Sequence, residues 1–225
     1  MKLTTQTSAA ALKAATRAQR AAEQMESQAR EAEGRISAME AEAVDALVAD
    51  PGQAQSITSA IDGQTRLVAA YRTKAAQQRA EAARALQSAA ALDADELARA
   101  ADAKTAEAEA AQARIDKLLT SLEEYAGVSF EVAPASRDFA GEPTSWPSTV
   151  AEDLQDEGML MRMQAASSRY YAEHAQAPQT VAELNTVPGA NYSLALTWGG
   201  RLDPSAHWSP LLRSLDAGTA LTGEG

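Results

Sequence analysis

AAEQMESQAREAEGRISAMEAEA, residues 21–43, carries Ala22, Met25, Ala29, Ala32, Ile36, Met39 and Ala43 at steps of 3, 4, 3, 4, 3 and 4. Most residues between them are polar, charged or alanine. That spacing keeps one face of an α-helix apolar. The same alternation extends back to Ala11, Ala15 and Ala18 and on to Ala46. It predicts a helix from an N-cap at Thr7 or Ser8 to Ala49, roughly 60 Å long. Gly34 lies inside it at a cost of about 1 kcal/mol relative to alanine, and the seam runs through it unbroken.

Asp50-Pro51-Gly52-Gln53 ends this helix. Proline cannot continue it, but fits the first position of a new one, with Asp50 as N-cap and Gln53 as its capping-box partner. A second seam follows: Ile57, Ile61, Gln64, Val68, Tyr71, Ala75, Gln78, Ala82, Ala85 and Ala89. Asp93-Ala94-Asp95-Glu96 reads as another capping box and predicts a turn at 92–93, although no glycine or proline marks it. A third seam runs through Leu97, Ala101, Lys104, Ala108, Ala111, Ile115, Leu118, Leu122 and Tyr125, with Gly127 as the stop. Polar residues on such seams, here Gln64, Gln78 and Lys104, set register or oligomer state.

The fold class expected is therefore mainly α. Residues 1–126 read as a long alanine-rich antiparallel three-helix bundle or coiled coil, with helices at about 8–49, 51–91 and 93–126. Charge supports the division. Residues 1–22 carry +4, 23–50 carry −6, 51–92 carry +3, 93–126 carry −5, and 127–225 carry −7. A basic helix between two acidic ones favours antiparallel neighbours, though exposed pairs contribute only about 0–1 kcal/mol each. Without the 92–93 turn, the alternative is a hairpin with an overhanging rod that oligomerises to cover its apolar stripe.

After Gly127 the helical period is lost. VSFEVAPASRDFAGEPTSWP (128–147), with three prolines, reads as a strand-like start followed by a linker. Residues 148–225 read as a small α(+β) module. Ser148 caps a helix over 149–175, and Thr180-Val181-Ala182-Glu183 is a capping box. NYSLALTW (191–198) alternates as a strand, Ser209–Leu215 forms a short helix, and AGTALTGEG is a disordered tail. All three Trp, both Phe and four of the five Tyr stand at Tyr125 or later. The interaction candidates are therefore Trp146, Met159, Met161, Met163, Tyr170, Tyr171, Trp198 and Trp208.

Composition narrows the chemistry. The 225 residues hold no cysteine and carry a net charge of −11. Thiol catalysis, disulfides and thiolate metal sites are excluded, and acidity argues against non-specific nucleic-acid binding. No apolar run reaches the ~20 residues of a membrane span, and the N-terminus lacks the apolar block of a secretory signal. The expected location is cytoplasmic or virion-associated. No GxxxxGK[ST] or GxGxxG string supports a nucleotide site.

Asp203, Ser205 and His207 alternate within one loop, whereas triad members converge from separate elements, so a structural role is expected. His174 ends a helix and reads as a cap. It has no second ligand at i+3 or i+4 for a metal. Glu152, Asp153, Asp156 and Glu157 suit a helix N-terminus. YYAEHAQAPQTVAEL (170–184) is similar to the helix-to-loop junction of pilin-like proteins over 15 of 225 residues. The ~20-residue apolar N-terminal span of those proteins has no counterpart here.

The expected function is that of a non-enzymatic structural, assembly or scaffolding protein. It would need no cofactor or metal and would act through protein partners, as a homo-oligomer or part of a larger assembly. Its composition resembles phage and capsid assembly components in general style. The alternatives are a peripheral membrane-associated coiled-coil adaptor using the basic residues 1–22, and a small hydrolase in the C-terminal part.

Overall fold

The structure, a computed structural model, describes residues 7–130, 148–188 and 204–217. The expected strand at 191–198, with Trp198, most of the linker, with Trp146, and the tail beyond 217 lie outside them. Among the described residues every regular element is helical. They are α1 (Ser8–Ala49), a 310 turn (Pro51–Gln53), α2 (Ala54–Ala126), α3 (Val150–His174), α4 (Val181–Leu184), a second 310 turn (Pro204–His207) and α5 (Pro210–Asp216). They fall into two compact units: residues 9–86, and residues 87–217 with Thr7 and Ser8.

In the first unit α1 packs against the beginning of α2. The fully buried residues of α1 are Ala11, Ala15, Ala22, Ala29 and Ala32, all on the seam. On α2 every seam position from Ile57 to Ala82 is buried or half-buried, and the residues between them are exposed. Alanine at these positions lets backbones approach toward the short end of the ~8–10 Å range. Ion pairs join Glu26 to Arg79 and Glu33 to Arg72, so later residues of α1 meet earlier residues of α2. Gln64 is half-buried on this seam, with Oε1 enclosed and accepting no hydrogen bond.

The turn between the helices differs from the expected capping box. Extended Asp50 accepts the Gly52 N–H on Oδ1 at 2.9 Å, while the Gln53 amide donates to Asp50 Oδ2 at 3.3 Å. Gln53 therefore braces the side chain instead of capping the backbone, and the chain makes one 310 turn before α2.

The break expected at 92–93 is absent, because α2 runs unbroken for 73 residues. Nothing between Asp93 and Glu96 blocks helical φ/ψ. The carboxylates read as a capping box serve tertiary contacts instead. Asp93 Oδ2 accepts from the Ser168 hydroxyl at 2.7 Å. Glu96 accepts from the Ser8 N–H at 3.2 Å and from its hydroxyl at 2.7 Å. The three-helix division of residues 1–126 is corrected accordingly.

In the second unit α3 lies along the later part of α2, whose fully buried residues there are Ala89, Ala90, Ala94, Ala101 and Ala108. The cross-helix contacts descend α3 as they climb α2. The Gln87 amide donates to Ala172 O at 3.2 Å, Arg169 pairs with Asp95 at 3.6 Å, Arg162 with Asp102 at 3.3 Å, and Lys104 with Glu157 at 3.1 Å. Lys104, read as a polar interruption of the seam, thus marks where α3 crosses. Hydrogen bonds and charge from Glu157 and Glu107 raise its pKa.

The cap of α3 is Thr149, one residue later than expected. Its hydroxyl accepts the Glu152 N–H at 3.2 Å, and Glu152 returns the bond to the Thr149 N–H at 2.7 Å. Ser148 instead donates to Asp153. The box at Thr180 forms as read from the sequence. There Glu183 Oε2 accepts the N–H groups of Gln179 and Thr180 at 2.6 and 2.9 Å. These donors hold its carboxyl below the ordinary value.

The sign of the pH effect follows. A depressed folded pKa contributes stability that is present above the unfolded value and lost as pH falls through the folded one. Glu183→Gln should therefore lower the thermal midpoint above pH 4.5, the ordinary value. The gap should close as pH falls below it. A gap that persists unchanged in acid would exclude this role.

Val128–Phe130 forms no strand. Gly127 takes φ +65, and the chain hooks back so that the Ser129 hydroxyl and Phe130 N–H both donate to Glu123 Oε1 at 3.0 Å. The two donors depress the Glu123 pKa.

Candidate functional site

The α3–α5 module is held by a small core and a buried hydroxyl cluster. Leu184 is fully enclosed and packs with Ala166 and Val187, bordered by Met163, Tyr170 and Val181. Leu212 and Pro178 are enclosed as well, and the Trp208 indole N–H donates to Pro178 O at 3.0 Å. Ser167, Ser168 and Ser209 are all 0% exposed. The Ser168 hydroxyl lies 2.7 Å from Asp93 Oδ2 and 2.8 Å from Ser209 Oγ. Ser209 also accepts the Leu212 N–H at 3.2 Å and donates its own N–H to Ser167 Oγ at 3.3 Å.

This cluster ties α2, α3 and the start of α5 together. Enclosed from solvent, it fastens these elements to one another. Ser168→Ala should cost about 1–2 kcal/mol, because it leaves buried polar partners without their hydroxyl. Urea unfolding followed by tryptophan fluorescence checks this, and an unchanged midpoint would refute it.

Among the described residues, the interaction candidates divide between the interior of the module and its surface. Trp208 is 7% exposed and its polar atom is used inside the module. Met163 and Tyr170 border the Leu184 core. Tyr170 also stacks on His174 with ring centroids 4.1 Å apart, and burial, with Glu183 nearby, raises its phenol pKa. Met161 and Tyr171 are half-buried, and burial raises the Tyr171 pKa. Met159 is exposed, as is its neighbour Leu160. Trp146 and Trp198 lie outside the described residues.

Of the triad candidates, Ser205 and His207 share the 310 turn Pro204–His207, and Asp203 lies outside the described residues. His174 Nδ1 lies 3.0 Å from Tyr170 O at the end of α3, and Ala175 closes the helix in the left-handed region at φ 55. In the acidic cluster, Glu152 serves the cap and Glu157 pairs with Lys104. No group of three or more His, Asp or Glu among the described residues is arranged to hold a metal. No described helix is long and apolar enough to cross a membrane.

A half-open groove of about 180 Å³ lies between Ala98 and Asp102 of α2, Arg162, Ala165 and Arg169 of α3, and Pro188. Its cations are compensated. Arg162 donates to Asp102 at 3.3 Å and to Thr105 at 3.0 Å, and Arg169 pairs with Asp95.

What stands out instead is uncovered apolar surface on the rod. Leu118 is 71% exposed, Leu122 45%, Tyr125 92% and Val128 56%. Three of these are seam positions for which the sequence implied cover. A signal was present: the seam residues change from alanine to isoleucine, leucine and tyrosine after Ala111. Val44 and Val48, at the end of α1, are exposed in the same way. Compared with protein-family models, curated proteins and solved structures, the chain matches none.

Proposed function

We propose that this chain is a non-enzymatic structural component of a larger protein assembly, such as a virion. It would use an antiparallel helical hairpin as a spacer and the α3–α5 module as a binding module. The observation that carries the reading is the 73-residue helix α2. It is built on alanine seams and ends in large apolar side chains left open to solvent. Such a rod is costly in exposed surface for a chain that acts alone, and exposed apolar patches mark interaction sites. The opposite order of the α1–α2 ion pairs supports the antiparallel pairing. The polar partners of the Ser168 cluster and the paired arginines of the groove have structural uses, which supports the non-enzymatic part.

Gradient sedimentation of a gently lysed native source, with the full chain followed by an antibody, tests this. The chain should travel in a large particle at a fixed ratio to other proteins. Migration solely as the free chain or its simple dimer would overturn the reading.

A further inference from the structure

We infer that the hairpin of residues 9–86 pairs with that of a second copy, the two lying antiparallel along a charged stripe of α1. The inference rests on the assembly reading and its antiparallel hairpin, and names the partner at one site: a second copy. α1 carries two stripes. The first is the buried seam that holds Ala15, Ala22, Ala29 and Ala32 against α2. The second runs from Ala14 to Asp45, again at steps of 3 and 4, about 100° around the helix from the first. Glu26 and Glu33, which reach Arg79 and Arg72, lie on the other side of the seam. On the second stripe Ala21 and Gln28 are half-buried and the rest is exposed. Its charge is sorted by end, with Arg17 near the start and Glu42 and Asp45 at the finish. Among the described residues none of these three enters an ion pair.

That order makes the stripe complementary to itself reversed. In a two-fold antiparallel pair at full overlap, the axis passes between Gln28 and Glu31, near the middle of α1. Arg17 then meets the partner's Glu42, Ala21 the partner's Ala38, Gln24 the partner's Arg35, and Gln28 the partner's Glu31. Every one of these positions stands on the stripe, so they are facing layers of heptad type, each made twice. The arginines and carboxylates that lack a partner in the single chain gain one. The glutamine amides can donate to Glu31 and accept from Arg35, and alanine against alanine lets the backbones come close. The same operation lays the matching stripe of α2 on itself. Leu67, 43% exposed, meets the stem of the partner's Arg84, and Lys74 meets the partner's Gln77. None of these layers joins like charges. A parallel, in-register pair would set Arg17 against Arg17 and Glu42 against Glu42. Such a contact is weak alone and screened by salt, and gains from repetition in an assembly.

The test uses the purified full chain. Light scattering over a concentration series at low salt should show the mass rising from 23.6 kDa toward twice that value. Salt at about 0.5 M should weaken the pairing about 10-fold. Arg17→Glu and Glu42→Arg should each weaken it about 10-fold or more, with helix content by circular dichroism unchanged. The double variant, which exchanges the two charges, should restore it, and so should mixing the two single variants. The chain has no cysteine. Ala21→Cys and Ala38→Cys in one chain should therefore oxidise to a covalent dimer. These positions stand roughly 25 Å apart along their own helix and meet only across the pair. Either cysteine alone should not cross-link.

A monomer at every concentration overturns the inference. So does a dimer indifferent to Arg17→Glu, or one that the charge exchange fails to restore. A pure monomer that still sediments in a large native particle would overturn this contact and leave the assembly reading standing. A pure dimer found only free in the lysate would do the reverse.

Discussion

Gly158→Leu will detach the first half of α3 from α2, at a cost of about 3 kcal/mol to the second unit, the upper range for overpacking. Gly158 is buried at a close approach of the two helices. A Cβ there would lie 3.3 Å from the Ala101 carbonyl oxygen, 3.4 Å from Lys104 Cβ and 3.5 Å from Thr105 Oγ1. The nearest of these is backbone within a continuous helix and cannot swing aside. A leucine must push the helices apart, and that separation also pulls Glu157 from Lys104 and Arg162 from Asp102 and Thr105. Gly158→Ala sets the scale. It gains about 1 kcal/mol of helix propensity and requires a shift of a few tenths of an ångström, so it should be close to neutral. Hydrogen exchange separates the outcomes. With leucine, α3 amides lose protection while α1 amides of the first unit keep theirs. If the leucine variant kept α3 protection, the close approach at Gly158 would be disproved.

The helices were legible in the sequence because their seams are regular. Ala22, Ala29, Ala32, Val68, Ala75 and Ala82 were placed on the apolar faces by spacing alone, and all are buried. The missed feature is the join. The second seam ends at Ala89 and the third begins at Leu97. Extending the alternation from Ala89 gives positions 92 and 96, one residue out of phase with 97. One residue is about 100° around a helix. The capping-box pattern at Asp93–Glu96 reads as a turn, whereas in the structure the slip is a change of face within one helix. Ala89 and Ala90 are adjacent and both 0% exposed, so α2 buries two faces there. A sequence pattern reports which residues are covered, not which element covers them, and a turn and a second neighbour leave nearly the same trace.

The hydroxyl cluster was illegible for a related reason. Ser209 was recognisable as a helix start, and it does accept the Leu212 N–H. Ser167 and Ser168 stand in the middle of α3, where serine is ordinarily a solvent-facing residue. The docking of α2 and of α5 against α3 makes them interior, and nothing local to these segments announces it. The same limit applies to Leu118, Leu122 and Tyr125. Their spacing states that they need cover, and their exposure depends on how far α3 reaches.

Leu184→Ala should cost about 3 kcal/mol, within the ~2–5 kcal/mol range for truncating an enclosed leucine. Its consequence exceeds the number. The described module has few large side chains fully enclosed, chiefly Leu184, Leu212 and Pro178. Leu184 is the largest buried member of the cluster it forms with Ala166 and Val187. Its neighbours cannot collapse inward easily. Met163 and Tyr170 belong to a long helix, and the Thr180–Glu183 box holds the backbone of α4 in place. The cavity therefore persists, and α4 should open before α3 unfolds. Tyr170 loses its burial in that state, so its phenol, held above the ordinary value chiefly by burial, should titrate at lower pH in the variant. Urea unfolding gives the cost, and ultraviolet titration of the tyrosines reads the opening. Leu118→Ala is the matched control. That leucine is 71% exposed, so its truncation should leave the fold's stability within about 0.5 kcal/mol. If the two variants proved equally stable, the Leu184 cluster would not be what holds α4 to α3.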